Sequence, residues 1–330
     1  MTQFEPLVSV IMNCRNGGKF LAEAIDSIYR QNYFNWEIIF WDNLSTDNSA
    51  EIAKSYDRRL RYFRGESIQP LGRARNMAIA QAKGELIAFL DADDLWMPDK
   101  LQKQVLLFRN DLVGLVFSDA INLFSTTNTY YTQFSTLSIL PPRGRIFDYL
   151  LEKYGVSMPT VVLRREAMES AGGLFDDAFQ YSEEYDLFLR ISYNWECDYV
   201  AEPLAVYRIH QSLGLSAFSQ FEAQERQKTI DKLCLIYPEL KDRCRDLLQV
   251  CRVNIAVVQA RWFWKQGKVS EARAELKQYL SYPKVLLIYI STLLPYGLVM
   301  KLWRFAQELK HKGMKHSKFN GIDSFVAGNK

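Results

Sequence analysis

The sequence predicts an α/β protein that begins with a parallel sheet covered by helices on both faces. Two observations lead to this prediction: short apolar, β-branched runs alternate with segments of helical spacing, and polar side chains follow the runs where they end. In such sheets, ligands bind at the carboxyl ends of the strands. The predicted strands are residues 7–12, 36–41, 60–63, 86–90 and 113–118. The predicted helices are 20–29, 71–82 and 98–108, and residues 45–56 are predicted to be a loop and a capped helix.

The pattern changes twice further along the chain. Residues 120–145 are polar and aromatic with a Pro-Pro pair, which predicts an irregular loop or a hairpin over the site. Residues 146–207 mix short strand and helix signals, as an α+β half would. After about residue 215 only helical spacing remains, at 221–237, 240–264 and 270–282, with breaks at Gly267 and Pro283.

Composition describes an ordinary globular protein, with 48% hydrophobic and 24% charged residues among 330. The net charge of +3 is too small to indicate nucleic acid binding, but it is unevenly placed. Residues 301–330 carry seven Lys or Arg against two acids, a net charge of +5. This basic tail indicates contact with an anionic membrane surface, and a solvated tail is the alternative reading.

Cysteine usage and hydropathy set the expected location of the chain. The five cysteines are odd in number and have no C-x-x-C spacing, which favours reduced thiols in the cytoplasm. The N-terminus lacks the positive region of a signal peptide. No segment reaches the roughly 18 uninterrupted apolar residues of a spanning helix, and the nearest candidate, 285–300, is broken by Pro295 and Gly297.

The acids that follow the fourth predicted strand are the most informative residues. An apolar run ends at residue 90 and is followed by Asp91, Asp93 and Asp94. Carboxylates crowded at the end of a buried strand repel one another, and a divalent cation relieves that repulsion. Oxygen ligands on a short turn suit Mg²⁺ or Mn²⁺. Helix capping before Pro98 is the alternative explanation.

Five segments, taken in order, resemble the inverting family 2 glycosyltransferases with the GT-A fold. They are VSVIMNCRNGGKFLAEAIDSI (8–28), IIFWDNLSTDNS (38–49), LGRARN through LDADDLWMPDKLQKQ (71–104), SEEYDLFLRI (182–191) and YRIHQSLGLS (207–216). The resemblance covers residues 7–216. It implies a GT-A catalytic domain at 1–216, with a nucleotide-sugar-binding half at 1–119 and an acceptor half at 120–216, followed by a helical C-terminal region with a basic tail at 217–330.

The resemblance also implies a set of site residues. Asp93 is expected to ligate Mn²⁺ or Mg²⁺, with Asp91 beside it and His210 completing the shell. Where the family commonly has two adjacent aspartates, this chain has Asp42 and Asn43. The residues expected to bind donor or acceptor are Asn13, Arg15, Asn16, Asp42, Asn43, Arg75, Asn76, Asp91, Ala92 and Arg208.

Transfer also needs a carboxylate that takes the proton of the acceptor hydroxyl. Glu183 and Asp186 are three residues apart and share a helix face with Arg190, which predicts a stabilising charge ladder. Glu184 occupies the position where the family most often has aspartate. We therefore expect Glu184 to be the base, with Glu183 and Asp186 as alternates.

Together these features predict a metal-dependent glycosyltransferase that uses a nucleotide-sugar, foremost a UDP-sugar, and a cell-surface glycan or lipid-linked acceptor. Tryptophans beside cations at 261–265 and 302–305 are typical of a membrane interface. Packing of those aromatics within a helical subdomain is the alternative reading. Two other functions stay open at this point: a nucleotidyltransferase, for which residues 16–19 faintly resemble a phosphate loop, and a non-catalytic nucleotide-sugar-binding protein.

Overall fold

The computed structural model describes residues 4–124, 129–137, 139–209 and 215–302, with the backbone alone for 215–220. The strands in these residues are β1 (Val8–Cys14), β2 (Trp36–Asp42), β3 (Leu60–Arg64), β4 (Leu86–Phe89), β5 (Leu95–Trp96), β6 (Val113–Phe124), β7 (Thr129–Thr132), β8 (Val162–Arg164) and β9 (Glu196–Ile209). They form one sheet in the order β3-β2-β1-β4-β8-β6-β9-β5, with β7 paired to β6.

The first half of the sheet is parallel, as the alternating pattern predicts. β1 lies between β2 and β4 and runs parallel to both, and β3 extends the sheet beyond β2. Every residue of β1, β2 and β4 is buried, because helices cover both faces of these strands. Val8, Val10 and Met12 of β1 share one core layer, whereas Ile11 points into the layer on the opposite face.

The second half of the sheet mixes strand directions. β8 runs antiparallel to both β4 and β6, and β9 then runs parallel to β6. β6 continues six residues past the predicted end at 118 and forms an antiparallel hairpin with β7. The hairpin predicted for residues 120–145 is therefore present in its first part. The sheet as a whole is mostly parallel, since among the described strands β5, β7 and β8 alone oppose the rest.

Helices connect these strands and continue after them. They are α1 (Leu21–Tyr29), α2 (Ser49–Lys54), α3 (Leu71–Ile79), α4 (Lys100–Val105), α5 (Phe147–Glu152), α6 (Arg165–Ser170), α7 (Glu183–Asn194), α8 (Leu215–Ile236), α9 (Leu240–Arg243), α10 (Arg245–Lys265), α11 (Val269–Lys277) and α12 (Pro283–Ser291). α1 packs Leu21, Ile25 and Ile28 against one face of the sheet. α3 packs Ala74 and Ala78 against the other, so the two faces are covered as predicted.

The chain divides into two compact units after Ile255, within α10. The first unit extends past α8, because residues such as Ile230 and Leu233 lie in the same core as the sheet. The end of the catalytic domain at residue 216 stays a prediction. All five cysteines are free and buried, as their spacing predicts.

The second unit begins at Ala256 and has its own buried side chains, among them Leu276 and Val285. Trp264 is 5% exposed, and its indole Nε1 donates a hydrogen bond to the carbonyl of Leu294 at 3.0 Å. Packing within a helical subdomain, rather than membrane contact, therefore explains this tryptophan. No helix among the described residues combines the length and the apolar character needed to cross a bilayer.

Candidate active site

The acid-rich turn after β4 lies at the edge where β1, β2 and β4 end. The N–H of Asp94 donates to the carbonyl of Asp91 at 3.1 Å, which closes the turn. Asp94 is 1% exposed; its Oδ1 accepts the backbone N–H of Arg208 at 2.8 Å, while its buried Oδ2 has no partner among the described residues. Burial, together with Asp93 and Asp91, raises the pKa of Asp94 well above its usual value. Asp94 is thus an internal residue, and Asp91 and Asp93 are the more open acids.

Arg208 on β9 holds this turn in place. Its guanidinium donates to the carbonyl of Asp93 at 2.8 Å and to Glu23 on α1 at 2.6 Å, and it lies over the ring of Phe20. The side chain is 8% exposed. Arg208 therefore fixes the backbone of the Asp91–Asp94 turn. Its predicted contact with substrate stays a prediction.

Arg75 on α3 joins the acid turn to α7. Its Nη1 donates to Glu183 Oε1 at 2.7 Å, and its Nη2 donates to the Asp91 carboxylate at 3.1 Å. Burial opposes the charge of Arg75, but Asp91 and Glu183 outweigh it and raise the pKa of the guanidinium. Gly72 lets α7 approach, since a Cβ there would lie 3.3 Å from Glu183 Cγ. Two segments about ninety residues apart in the sequence are therefore joined through one buried arginine.

The acids at the start of α7 have three different surroundings. Glu183 is 2% exposed and is paired with Arg75, so it does not join the predicted ladder. Asp186 is fully buried and pairs with both Arg190 and Lys232, so the second half of that ladder is present. Glu184 is half-buried. Burial and the neighbouring Glu183 raise the pKa of Glu184 to about 8.

The end of β1 contributes an unsatisfied amide. Asn13 is 8% exposed, and neither its Oδ1 nor its Nδ2 has a partner among the described residues. A buried amide without hydrogen bonds is costly, so this side chain is ready to bind a polar ligand. Arg15 is exposed, and Ala92, at 8% exposed, packs close to Gly17.

The loop that follows β1 is tied to the loop before α2. Asn16 Oδ1 accepts the N–H of Thr46 at 2.8 Å. The backbone N–H groups of Asn16, Gly17 and Gly18 donate to the side chains of Ser45, Ser49 and Asp47, respectively. A phosphate loop presents such N–H groups to its ligand, but here protein side chains occupy them. The glycines therefore do not form the phosphate loop that a nucleotidyltransferase would need.

Asp42 and Asn43, at the end of β2, are internal residues. Asp42 is fully buried and accepts hydrogen bonds from Tyr62 Oη and the N–H of Ser45, both at 2.6 Å. Burial opposes the charge of Asp42, but these bonds lower the pKa of its carboxyl. The Asn43 amide exchanges two hydrogen bonds with the backbone of Gln69. Both side chains therefore brace the loop after β2, and their predicted contacts with the donor stay a prediction.

The amide of Asn76 on α3 also makes hydrogen bonds within the protein. Its Nδ2 donates to the carbonyl of Phe175 at 2.7 Å, and its Oδ1 accepts the N–H of Phe175 at 3.0 Å. These bonds tie the loop before α7 to α3. Both ends of the Asn76 amide are paired in this way, and its predicted contact with substrate stays a prediction.

The fit of a divalent cation rests on Asp91 and Asp93. Among the described residues, no three His, Cys, Asp or Glu side chains converge as a complete metal site, and the predicted ligand His210 lies outside those residues. Mg²⁺ and its relatives are commonly held by one or two carboxylates together with substrate phosphates, so a three-residue cage is not required. The side chain of Asp91 is 31% exposed, and Asp93 on the same turn is half-buried, which fits such a partial ligand set.

Three residues near the site have no counterpart in the sequence prediction. Tyr207 lies beside the acid turn and is 39% exposed; partial burial of its phenol and the nearby aspartates raise its pKa to about 12. Burial and Glu184 raise the pKa of Tyr154 well above its usual value. Glu225 on α8 accepts hydrogen bonds from the chain just before α7. Tyr207 adjoins the predicted Arg208, but Tyr154 and Glu225 carry no sequence signal, since their roles depend on distant contacts.

Comparisons with known proteins identify the family. Residues 9–172 match the profile described as Glycosyl transferase family 2. The chain is 30% identical over 188 residues to UDP-Glc:alpha-D-GlcNAc-diphosphoundecaprenol beta-1,3-glucosyltransferase WfgD from Escherichia coli, covering 56% of this chain and 69% of that protein. It is 31% identical over 169 residues to the putative teichuronic acid biosynthesis glycosyltransferase TuaG from Bacillus subtilis, covering 50% and 65%.

Solved structures agree on the fold. Mannosyltransferase PcManGT from Pyrobaculum calidifontis, in complex with GDP-Man and Mn²⁺, superposes with a TM-score of 0.59 at 19% identity, covering 94% of this chain and 88% of that one. S. aureus TarS 1–349 with UDP-GlcNAc gives 0.58 at 14%, covering 83% and 91%. The chain has the GT-A fold and belongs to glycosyltransferase family 2. It is a glycosyltransferase; among its relatives, WfgD is named for a diphosphoundecaprenol-linked acceptor and TuaG for teichuronic acid biosynthesis.

Proposed function

We propose that this chain is a metal-dependent, inverting glycosyltransferase that moves a sugar from a UDP-sugar to a lipid-linked or cell-surface glycan acceptor. The single observation that carries the proposal is the buried connection from Asp91 through Arg75 to Glu183, beside the half-buried Glu184. It joins an open acid turn suited to a diphosphate to a carboxylate suited to proton transfer.

Asp93 and Asp91 are the proposed ligands of Mn²⁺ or Mg²⁺, with His210 as a further candidate. A divalent cation bound there would stabilise the negative charge of the departing diphosphate. Arg208 keeps the turn rigid through the Asp93 carbonyl, and Arg75 orients the Asp91 carboxylate. Asn13 is the proposed polar contact to the nucleotide, because its buried amide has no partner among the described residues.

Glu184 is the proposed general base. In an inverting transfer, the acceptor oxygen bonds to the anomeric carbon as the bond from that carbon to the diphosphate breaks, and the base takes the acceptor proton. Glu183 is committed to Arg75 and Asp186 to two cations, so Glu184 is the acid of this helix turn with the freest carboxylate. Its raised pKa suits proton abstraction near neutral pH.

The proposed donor and acceptor follow from the relatives. WfgD is named for UDP-Glc and a diphosphoundecaprenol-linked sugar, and TarS was solved with UDP-GlcNAc. PcManGT carries GDP-Man, so a GDP-sugar is the alternative donor. We favour the uridine nucleotide, since the relative with the higher sequence identity is named for it. A lipid-linked acceptor would bring the enzyme to a membrane surface.

The proposed membrane contact is an apolar face of the second unit, which we call the leucine face. Residues 285–300 contain no charged side chain. Leu287 is 67% exposed and Leu293 is 70% exposed. Soluble monomers rarely expose contiguous apolar patches of this kind. The other members of the leucine face are Leu286, Ile290 and Leu294.

The charge around the leucine face indicates what covers it. Lys284 and Lys301 flank the uncharged stretch, and the net charge of +5 over residues 301–330 follows it. Basic residues beside an apolar face are typical of proteins that lie on anionic lipid. We propose peripheral contact at the inner face of the cell membrane, which also fits the free thiols.

Vesicle sedimentation tests the leucine face. The double variant Leu287→Asn/Leu293→Asn should reduce binding of the full chain to vesicles of phosphatidylglycerol and phosphatidylethanolamine. Leu235→Asn is the matched control, because Leu235 is 77% exposed on α8 in the first unit. Equal binding of the double variant and the wild type would contradict the membrane contact.

A transfer assay tests the function. The full chain is incubated with UDP- and GDP-sugars, Mn²⁺ and a polyprenyl-diphosphate sugar, and the product's anomeric configuration is read by NMR. Glu184→Gln should lower turnover by about 10²–10⁴-fold with unchanged donor affinity, and Glu184→Asp should be milder. Asp186→Asn should mainly lower stability. Normal turnover by Glu184→Gln with an inactive but folded Asp186→Asn would make Asp186 the base. Donor binding without transfer to any acceptor would favour a non-catalytic binding protein.

A further inference from the structure

The chain just before α7 is organised by a residue from another helix. Ser182 is the N-cap residue of α7, but its side chain makes no capping hydrogen bond. Glu225 of α8 instead accepts the backbone N–H groups of Gln180, Tyr181 and Ser182, at 2.8, 2.9 and 2.8 Å. Three consecutive donors thus converge on one carboxylate immediately before Glu183 and Glu184.

The burial of Glu225 makes this contact specific. The residue is 5% exposed, and a buried carboxylate is costly unless hydrogen bonds compensate for lost hydration. Hydrogen bonds to an ionised acceptor are stronger than neutral ones. Three such bonds leave the segment 180–182 little freedom, so the position at which α7 begins is fixed by α8.

A second contact from α8 reaches the same helix. Lys232 Nζ lies 3.0 Å from Asp186 and 2.6 Å from Asp176. In the same helix turn, Glu183 is held by Arg75 of α3. The first turn of α7, which carries Glu184, is therefore held by both α3 and α8. Of these two supports, α3 lies within residues 9–172, which match the family profile, and α8 lies beyond them.

We propose that Glu225 is a positioning residue for acceptor deprotonation. It does not touch substrate; it sets where the Glu184 carboxylate stands by fixing the start of α7. This inference rests on the proposed function of Glu184. Because a displacement of about 1 Å can reduce turnover on the order of 10²-fold, loss of the three hydrogen bonds should slow transfer without changing donor binding.

The test uses three variants of the full chain. Glu225→Ala removes all three acceptors, and Glu225→Gln keeps one carbonyl oxygen but turns a donor toward the remaining N–H groups. Glu222→Ala is the matched control, since Glu222 lies on the same helix in a half-buried pair with Arg226, whereas the N–H groups of 180–182 donate to Glu225. The measurements are kcat for transfer, donor Kd, and amide hydrogen exchange at residues 180–182.

Glu225→Ala should lower kcat by about 10–100-fold with donor Kd unchanged within about twofold, and amides 180–182 should exchange faster. Glu225→Gln should lie between Glu225→Ala and wild type, and Glu222→Ala should match wild type. If Glu225→Ala fails to fold, Glu225→Gln decides by the same measures. Faster exchange of amides 180–182 with unchanged kcat would show that the contact is purely structural and would overturn the proposal. Unchanged exchange of these amides in Glu225→Ala would also overturn it.

The same experiment distinguishes a failure of the proposed function from a failure of the positioning role alone. If wild type and Glu222→Ala transfer no sugar, the proposed activity is wrong, and the positioning role falls with it. If wild type, Glu222→Ala and a folded Glu225 variant all transfer sugar at the same rate, the proposed activity stands and only the positioning role is overturned.

Discussion

The two strands that flank β1 both end in polar residues. β2 ends at Asp42, which is followed by Asn43, and β4 is followed by the acid turn Asp91–Asp94. In the first, Asp42 is fully buried between Tyr62 and Ser45, and the Asn43 amide is paired with Gln69. In the second, the side chain of Asp91 is 31% exposed and is oriented by Arg75. The same edge of the sheet thus carries one closed polar cluster and one that can still bind a ligand.

The difference shows that the polar residues at one edge of the sheet can have different roles: some stabilise loops, and others are placed to bind a ligand. Asp42 closes the loop after β2 through the N–H of Ser45, and Ser45 in turn accepts the N–H of Asn16 after β1. The β2 end therefore braces the β1 loop. The β4 end is braced by residues from other elements, because Arg208 donates to the Asp93 carbonyl and Arg75 donates to the Asp91 carboxylate. Two of its acids, Asp91 and Asp93, are more exposed than Asp42.

The largest expected effect comes from breaking the buried connection at Arg75. Arg75→Met leaves Glu183 buried at 2% exposure without its cation, which should lower the free energy of unfolding by about 3–5 kcal/mol. Urea denaturation measures this loss. Arg73→Met is the control on the same helix, where the pair with Asp177 is exposed and should cost below about 1 kcal/mol. Equal losses for the two variants would contradict the buried connection.

A smaller effect is expected at the β2 end. Asp42→Asn replaces an acceptor with a donor and should cost about 1–3 kcal/mol in unfolding free energy, with donor affinity unchanged. Because the folded pKa of Asp42 is lowered, its contribution is present above the unfolded pKa of about 3.9 and is lost as pH falls through the folded value. Denaturation at about pH 7 and about pH 3 should show the gap closing in acid. Weaker donor binding at unchanged stability would place Asp42 in the donor site.

The smallest expected effect is the pH dependence of transfer. A base acts when deprotonated, so with a Glu184 pKa of about 8 the rate should rise with pH below that value and level off above it. Below about pH 7 the slope should approach tenfold per pH unit. Initial rates at saturating donor measure the profile, with Glu184→Gln as the flat control. A wild-type rate that is constant from about pH 6 to about pH 8 would argue against Glu184.

The sequence predicts the parallel half of the fold well, because continuous apolar strands and alternating helices leave few other arrangements. It also directs attention to the acid turn and to Arg75. It does not reveal the intramolecular hydrogen bonds of Asp42, Asn76 and Arg208. Their partners, Tyr62, Phe175 and Glu23, come from segments that no local pattern connects to them.

Glu225 is a residue whose role the sequence alone does not predict. Its importance arises from three N–H groups more than forty residues earlier in the chain. An isolated glutamate on a polar helix gives no local signal of burial, and it becomes visible only once α8 packs beside α7. The late division of the chain at Ile255 has the same cause.

We propose that the β4 end, and not the β2 end, binds the donor diphosphate. The most direct test is isothermal titration of UDP-sugar into wild type, Asp93→Asn and Asp42→Asn, with Mn²⁺ and with EDTA. We predict that Asp93→Asn loses the Mn²⁺-dependent part of donor affinity and that Asp42→Asn retains it. Retention by Asp93→Asn with loss by a folded Asp42→Asn would contradict the account.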